Sequence, residues 1–425
     1  MTDDVLLTLS LLLMGALLAR FVASLIAIPE ILVLVAIGAL FGPFVLDVVD
    51  VPFDSLGAQL MFTLGVSLIL FYGGLSLSVP VLRTVWISLG LLAVPGVVLT
   101  AAVVGVTAHV AFDLPWDMAL LVGAVLSPTD PAILIPLFVR SRLKPKVAQT
   151  VIAESAFNDP TGAALALTLA GVVLTGSDSV TGPAGEFVVD LGISTVIGIV
   201  SGVVLAAAIS SSRSGIWRES AAIAVLTVVT ISFFSLDTAG GSGYLGAFLA
   251  GLIVGNMEHL GLGEADEPHV QEVRQFAFNL ADIVTLIVFM VLGANIPFDA
   301  LGDNLLPALA VLATLMLVAR PLTVLACALP DRGARWARNE LIFLCWTRET
   351  GVVPAALVGV LAGLGVPNGD VFASVVALAI VLTLLLQALP AGWLAGRLGL
   401  LEAGDLPLAV DAEPREPPRT AAGSA

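Results

Sequence analysis

The sequence predicts an all-α polytopic membrane protein, and three observations carry the prediction. The chain has 425 residues, of which 58% are hydrophobic and only 12% charged; a soluble domain carries about 25% charged residues. Apolar runs of about 20 residues recur from Val5 to Leu398, broken by Gly and Pro, and that length suits a helix crossing a hydrocarbon core of about 30 Å rather than a barrel strand of about 10 residues. Charged residues also sort by connection. Arg83, Arg140, Arg142, Lys144, Lys146, Arg213, Arg218, Arg274, Arg332, Arg335 and Arg338 fall on one side. Asp47, Asp50, Asp54, Asp113, Asp178, Asp237, Asp299, Asp303 and Asp370 fall on the other, with no Lys or Arg. The positive-inside rule makes the basic side cytoplasmic, with the N-terminus outside and the C-terminus inside. A formal net charge of -16 excludes nucleic acid as a partner.

Thirteen spans are expected, at about 5–28, 30–49, 58–79, 84–110, 116–139, 146–174, 186–211, 219–236, 243–257, 270–294, 304–329, 338–364 and 371–398. The first follows Thr2-Asp3-Asp4, whereas a signal peptide opens with positive charge, so it is read as a retained span. Pro29-Glu30 opens the second, with acid at the positive end of the helix dipole, and Gly42-Pro43 closes its apolar part. Phe71-Tyr72-Gly73-Gly74-Leu75 in the third is a close-packing surface of small residues, from which Tyr72 is an additional candidate to reach a cavity. Gly240-Gly241-Ser242-Gly243 is a turn before the short ninth span and lacks the strand–helix context of a phosphate loop. The tenth carries Asn279 and Asp282, whose role the sequence leaves open. Residues 401–425 are acidic and Pro-rich, the composition of a disordered tail. Cys327, Cys345 and the three histidines show no metal-ligand spacing, and no cofactor is expected.

Three spans are not simply apolar. The fifth is interrupted by Ser127-Pro128-Thr129-Asp130-Pro131, where two prolines free the carbonyls of Ala124 and Ser127. The twelfth is interrupted by Thr347-Arg348-Glu349-Thr350-Gly351, and Pro354 frees the carbonyl of Thr350; Glu349 is read as a local partner of Arg348. The sixth holds Glu154, Ser155, Asn158 and Asp159 ahead of Pro160, with Glu154 and Asn158 on one helix face and Ser155 and Asp159 on the next. An ionised carboxylate at that depth costs about 2.5–3.5 kcal/mol unless paired or used, and unwound backbone is tolerated there only when it lines a cavity or is buried. Arg320-Pro321 in the eleventh requires a buried carboxylate, and Glu154 is the best candidate. An offset of seven spans makes the fifth and twelfth antiparallel, as an inverted repeat of spans 1–6 on 8–13 requires; their breaks then cross near the bilayer centre. Desolvation favours the protonated acid and a bound cation favours the charged one, so one buried carboxylate accommodates a proton or a hard cation, each excluding the other.

Ser127-Pro128-Thr129-Asp130-Pro131, followed by Glu154-Ser155-Ala156-Phe157-Asn158-Asp159-Pro160-Thr161-Gly162, resembles the signature of the monovalent cation:proton antiporters. The Asn158-Asp159 pair is similar to the electroneutral NhaP-type sodium/proton exchangers. The resemblance extends over nearly all of residues 1–400. It implies that Asp159 carries the cation or the proton, with Ser155, the Thr129 carbonyl and Asp130 completing a Na⁺ site. It further implies that Asn158 braces the crossed chains, that Glu154 and Arg320 form a buried pair, and that Arg348 supports the site. The implied activity is electroneutral exchange of Na⁺ or Li⁺ for H⁺, with K⁺/H⁺ exchange as the alternative. The implied assembly is a homodimer in the cell membrane, with a dimerisation part in spans 1–3 and 7–10 and a mobile core in spans 4–6 and 11–13. Many relatives carry an acid where Tyr72 stands, and a Gly-rich segment is commoner at Thr347 to Gly351. An intramembrane aspartyl protease is disfavoured because Asp130 follows Thr129 and Asp159 follows Asn158, and a cation channel because an inverted repeat of broken helices suits alternating access.

Overall fold

The computed structural model describes residues 2–26, 28–53, 55–79, 85–130, 143–176, 181–210, 212–264 and 268–401. Pro131, Arg83, Arg140, Arg142, Asp54, Asp178 and nearly all of the predicted tail lie outside them. Among the described residues the secondary structure is helical, apart from one isolated bridge between Leu143 and Leu401. The first half comprises α1 (Thr2–Ile26), α2 (Glu30–Phe41), α3 (Leu56–Ser76), α4 (Trp86–Ala93), α5 (Pro95–Phe112), α6 (Trp116–Val125) and α7 (Pro145–Thr175). The second comprises α8 (Thr181–Ile209), α9 (Ala221–Ala239), α10 (Gly243–Gly255), α11 (Pro268–Ala294), α12 (Phe298–Asp303), α13 (Leu305–Thr314), α14 (Arg320–Ala328), α15 (Arg338–Trp346), α16 (Val352–Gly363), α17 (Gly369–Thr383) and α18 (Ala391–Arg397).

Nine helical segments among the described residues are long and apolar enough to cross a membrane. The second, fifth, ninth and twelfth predicted spans fall instead on shorter apolar helices, α2, α6, α10 and α16. The reasons are local. Gly42-Pro43 ends α2 at Phe41, and the prolines of the two interrupted spans halve them. The predicted fourth span is divided at Val94, because Pro95 cannot donate to the preceding turn.

Two proline-bearing spans respond differently. A π-helical turn, Leu315–Ala319, joins α13 to α14 two residues before Pro321, and a second, Leu384–Ala388, joins α17 to α18 two residues before Pro390. Widening the turn lets the helix continue past a proline whose ring would clash with its own i−4 carbonyl. The first of these turns delivers Arg320 to the interior.

Packing divides the bundle into two apolar clusters. The smaller joins α3, α8, α9, α10 and the start of α11 through Phe71, Leu75, Leu205, Val225, Val254 and Val273, among others. Within it α3 and α10 touch backbone to backbone. A Cβ on Gly251 would stand 2.0 Å from the Phe71 carbonyl oxygen, and one on Gly74 would stand 2.1 Å from that of Phe248. This is the close-packing role expected of the Phe71–Leu75 stretch. The larger cluster holds the interrupted helices, α7 and the spans around them.

Asp282 of the tenth span, whose role the sequence leaves open, and Glu30, at the start of the second, share one partner on α1. Arg20 of α1 donates through Nε to Glu30 at 2.7 Å and through Nη2 to Asp282 at 2.7 Å. Asp282 is thereby tied to α1 rather than to the interrupted helices.

The connection from α14 to α15 is fastened by Asp331. Its Oδ2 accepts from Ser88 N at 3.0 Å and Ser88 Oγ at 2.8 Å, and Oδ1 accepts from Ala334 N at 3.0 Å. Trp336 Nε1 donates to the same Ser88 hydroxyl at 2.9 Å. Burial alone would raise the Asp331 carboxyl, but these hydrogen bonds outweigh it and hold it below the usual range. A depressed native value contributes stability above the unfolded value of about 3.9, lost as pH falls through the native one. The melting difference between wild type and Asp331→Asn is therefore expected to be constant from about pH 6 to 8 and to shrink only below about pH 4, as a pH series of thermal melts would show.

Candidate functional site

The two interruptions lie across one another. After α6 ends at Val125 the chain is non-helical through Ser127–Asp130, and after α15 ends at Trp346 it is non-helical through Thr347–Gly351. Asp130 N donates to the Glu349 carbonyl at 3.0 Å, which joins the two strands of backbone directly. Such segments leave helix ends exposed in the bilayer interior, with partial positive charge at N-termini and negative charge at C-termini. Each interruption answers the other's. Arg348 Nη2 donates to the Leu126 carbonyl, and at 3.0 Å to that of Ser127, the group Pro131 is expected to free at the end of α6. Reciprocally, Asp130 Oδ2 accepts from Val352 N at 3.3 Å, at the first turn of α16. A cation sits on the negative end of one half-helix and an anion at the positive end of the other.

Arg348 is thus engaged with carbonyls, and the local pairing with Glu349 is not what the structure shows. Glu349 is 2% exposed, and its Oε1 has no hydrogen-bond partner. The difference is positional: the Arg348 guanidinium is taken up by carbonyls of the other interruption rather than by its neighbour in sequence.

Helix α7 supplies the hydrogen bonds that unwound backbone needs. Asn158 Oδ1 accepts from Thr129 N at 3.1 Å, and Asn158 Nδ2 donates to Thr129 Oγ1 at 2.9 Å. The Ser155 hydroxyl donates to the Thr129 carbonyl. All three polar groups of Thr129 are therefore held by one face of α7. Contact is close: a Cβ on Gly162 would lie 2.6 Å from Pro128 Cγ. One turn away, Glu154 receives the Arg320 guanidinium in a two-pronged pair, Nη1 to Oε1 and Nη2 to Oε2, the latter at 3.0 Å, with both residues 3% exposed. Arg320 Nε also donates to the Leu344 carbonyl at 2.8 Å, tying the pair to α15. A small polar cavity of about 10 Å³ lies between Thr129, Asn158, Glu154, Arg320, Thr323 and Arg348; that is about the room one water needs.

Asp159 completes the arrangement. It follows Asn158 on α7, one turn from Ser155. Its Oδ1 is buried with no hydrogen-bond partner among the described residues. Hydroxyl, carbonyl and carboxylate oxygens of Ser155, Thr129, Asp130 and Asp159 are hard donors of the kind alkali cations take. Ser155 and the Thr129 carbonyl are bonded to each other here, so a cation bound between them would replace that hydrogen bond. No group of three or more His, Cys, Asp or Glu able to hold a metal ion occurs among the described residues.

Tyr72 does not join this constellation. Its ring packs against Phe278 of α11, 5.6 Å between centroids, in the smaller apolar cluster. Two residues the sequence reading passed over do join it. Thr383 Oγ1 accepts from Thr350 N at 3.0 Å, and Gln387 Nε2 donates to the Trp346 carbonyl at 2.6 Å. They brace the second interruption from the α17 span, as Ser155 and Asn158 brace the first from α7. Two polar residues four apart in an otherwise apolar span, 371–398, are the signal that would have found them.

Gly351 shows how tight the crossing is. A Cβ there would stand 2.0 Å from Asp130 Cβ and 2.1 Å from Oδ2. Gly351→Ala is expected to displace the Asp130 carboxylate from α16, to destabilise by about 1–3 kcal/mol as overpacking does, and to lose most transport. Initial rates and melting curves of the same preparation would check both.

A helix broken between Trp346 and Val352, crossed by the non-helical chain that leaves α6, is the kind of architecture on which secondary transporters build their sites. The sequence model of the transmembrane sodium/hydrogen exchanger matches residues 9–396, and the chain belongs to that family. It is 30% identical over 402 residues to the K(+)/H(+) antiporter NhaP of Alkalimonas amylolytica, covering 91% of this chain and 65% of the relative. It is 29% identical over 357 residues to the Na(+)/H(+) antiporter 1 of Methanocaldococcus jannaschii, covering 81% of this chain and 80% of that one. The solved structure of the sodium proton antiporter MjNhaP1 from that organism at pH 8 superposes with a TM-score of 0.79 at 24% identity, over 93% of this chain and 99% of that one, and shows the same fold. The chain spans about two thirds, 65%, of the length of the K(+)/H(+) relatives. It is a multi-pass membrane protein of this family.

Proposed function

We propose that the protein exchanges a monovalent cation for a proton by alternating access, with Asp159 as the shared carrier. The observation that carries the reading is the Asp159 oxygen, buried without a partner among the described residues, on the helix whose Ser155 and Asn158 hold the first of two crossed interruptions. Glu154 is paired with Arg320, Arg348 serves the end of α6, and Asp130 serves the start of α16. Of the two carboxylates left with an unpartnered buried oxygen, Asp159 and Glu349, Asp159 shares α7 with the Ser155 hydroxyl that reaches the Thr129 carbonyl, and it is the one assigned to alternate between H⁺ and a cation. Loading by either ion removes the same single charge, which supports an electroneutral 1:1 exchange.

Na⁺ or Li⁺ is the substrate favoured by the relative named as a Na(+)/H(+) antiporter. K⁺ is the second reading, favoured by the relatives named as K(+)/H(+) antiporters. The charge sorting of the connections supports a cytoplasmic C-terminus and an extracellular N-terminus in the cell membrane. The smaller apolar cluster, built from α3 and α8 to α11, supports a separate dimerisation part in a homodimer, with the site helices in the moving core. The test is a proteoliposome assay of proton movement on adding Na⁺, Li⁺ or K⁺, with and without an imposed voltage. Cation-driven proton movement indifferent to voltage is expected. Current without proton coupling would identify a channel, and no response to any of the three cations would overturn the assignment.

A further inference from the structure

An apolar groove lies apart from the ion site. It has a volume of about 440 Å³ and lies between α14, α15 and α18, within the range of about 300–1,000 Å³ typical of small-molecule sites. Leu317, Leu325, Ile342 and Trp346 line it and are 65%, 40%, 44% and 37% exposed. In spanning helices such exposure faces lipid rather than water. The groove also has a polar end. Arg338, the first residue of α15, lines it and is exposed, with no hydrogen bond or ion pair among the described residues. From Arg338 to Trp346 along α15 is eight residues, a rise of about 12 Å, close to the roughly 15 Å thickness of one hydrocarbon leaflet. Trp346 is the last helical residue before the second interruption. The groove therefore runs from a cation at the membrane surface to the level of the crossing.

We propose that this groove is a binding site for an anionic phospholipid, whose acyl chain lies against Leu325, Ile342 and Trp346 and whose phosphate is held by Arg338. The length fits a chain in one leaflet, and the charge fits the headgroup. A zwitterionic lipid brings its own ammonium group and gains less from the arginine. The occupied groove would brace α14, which carries Arg320, against α15, which leads into Arg348. The inference rests on the groove's shape and charge, not on which ion is transported.

Trp346 makes occupancy measurable in the full-length protein. Bilayers of phosphatidylcholine are prepared with a fixed fraction of either brominated phosphatidylglycerol or brominated phosphatidylcholine, and the Trp346 signal is isolated as the difference between wild type and Trp346→Phe. Brominated phosphatidylglycerol is expected to quench at about fivefold lower mole fraction, the preference of one arginine for an anionic lipid. Arg338→Gln, at an exposed position without a partner among the described residues, should keep the fold and erase the preference. Leu325→Phe, which narrows the groove with Arg338 intact, should reduce quenching by both lipids. Equal quenching by the two lipids in wild type, or a preference that survives Arg338→Gln, would overturn the proposal.

Discussion

Asp159→Asn is expected to bring cation-driven proton movement down to the level of empty vesicles while leaving the protein folded. The two halves of that expectation come from one observation. The carboxylate Oδ1 has no hydrogen-bond partner among the described residues, so the substitution removes no bond that Oδ1 makes. An amide of the same shape fits the same space. It carries no charge, however, and cannot exchange a proton near neutral pH, so neither ion has a reason to enter. The comparison that isolates the carrier is Asn158→Ala. That change deletes two hydrogen bonds to Thr129 and should weaken the fold around the first interruption, by about 0.5–1.5 kcal/mol per bond and more where a partner is left buried and unsatisfied. Asp159→Asn with near-wild-type melting and no transport, beside Asn158→Ala with lowered melting, separates carrier from brace. Retained sodium- or potassium-driven exchange in Asp159→Asn would move the carrier role elsewhere.

The interruptions were legible in the sequence because proline chemistry is local. Pro128, Pro131 and Pro354 state which carbonyls lose their donors wherever the helices lie. The partners that take up those groups were not legible, because they are set by how helices far apart in sequence meet. Arg348 and the Ser127 carbonyl it satisfies are 221 positions apart, and Arg20 and Asp282 are 262 apart. Arg348 does not pair with Glu349 for the same reason: its guanidinium goes to carbonyls at the end of α6, and adjacency in sequence does not fix adjacency in space. Thr383 and Gln387 were hidden by composition. Two polar residues in a long apolar span leave its mean hydropathy high, and their meaning appears only when the unwound segment they serve is placed beside them. Glu154 and Arg320 were the easier case. A guanidinium and a carboxylate, both at bilayer depth, have few other ways to be stable.

That pair gives the largest expected effect on stability. Arg320→Ala should destabilise the protein by about 3–5 kcal/mol, the cost of stranding a buried partner, because Glu154 is 3% exposed and would be left ionised with nothing opposite it. The Leu344 carbonyl would lose its Nε donor in the same step, loosening the last turn of α15 just before the second interruption. Glu154→Gln should cost less, since an amide still accepts from the guanidinium. The decisive variant removes both charges. If the loss comes from stranding a charge rather than from the attraction itself, Glu154→Met with Arg320→Met should melt above Arg320→Ala, since a buried pair replaced by apolar side chains of similar volume is often neutral or better. Melting curves in one detergent rank the four proteins. A double variant that falls by the sum of the single losses would show the pair to be net stabilising in its own right. Arg320→Ala with wild-type yield and melting would mean that Glu154 finds another partner or a proton when the arginine is gone.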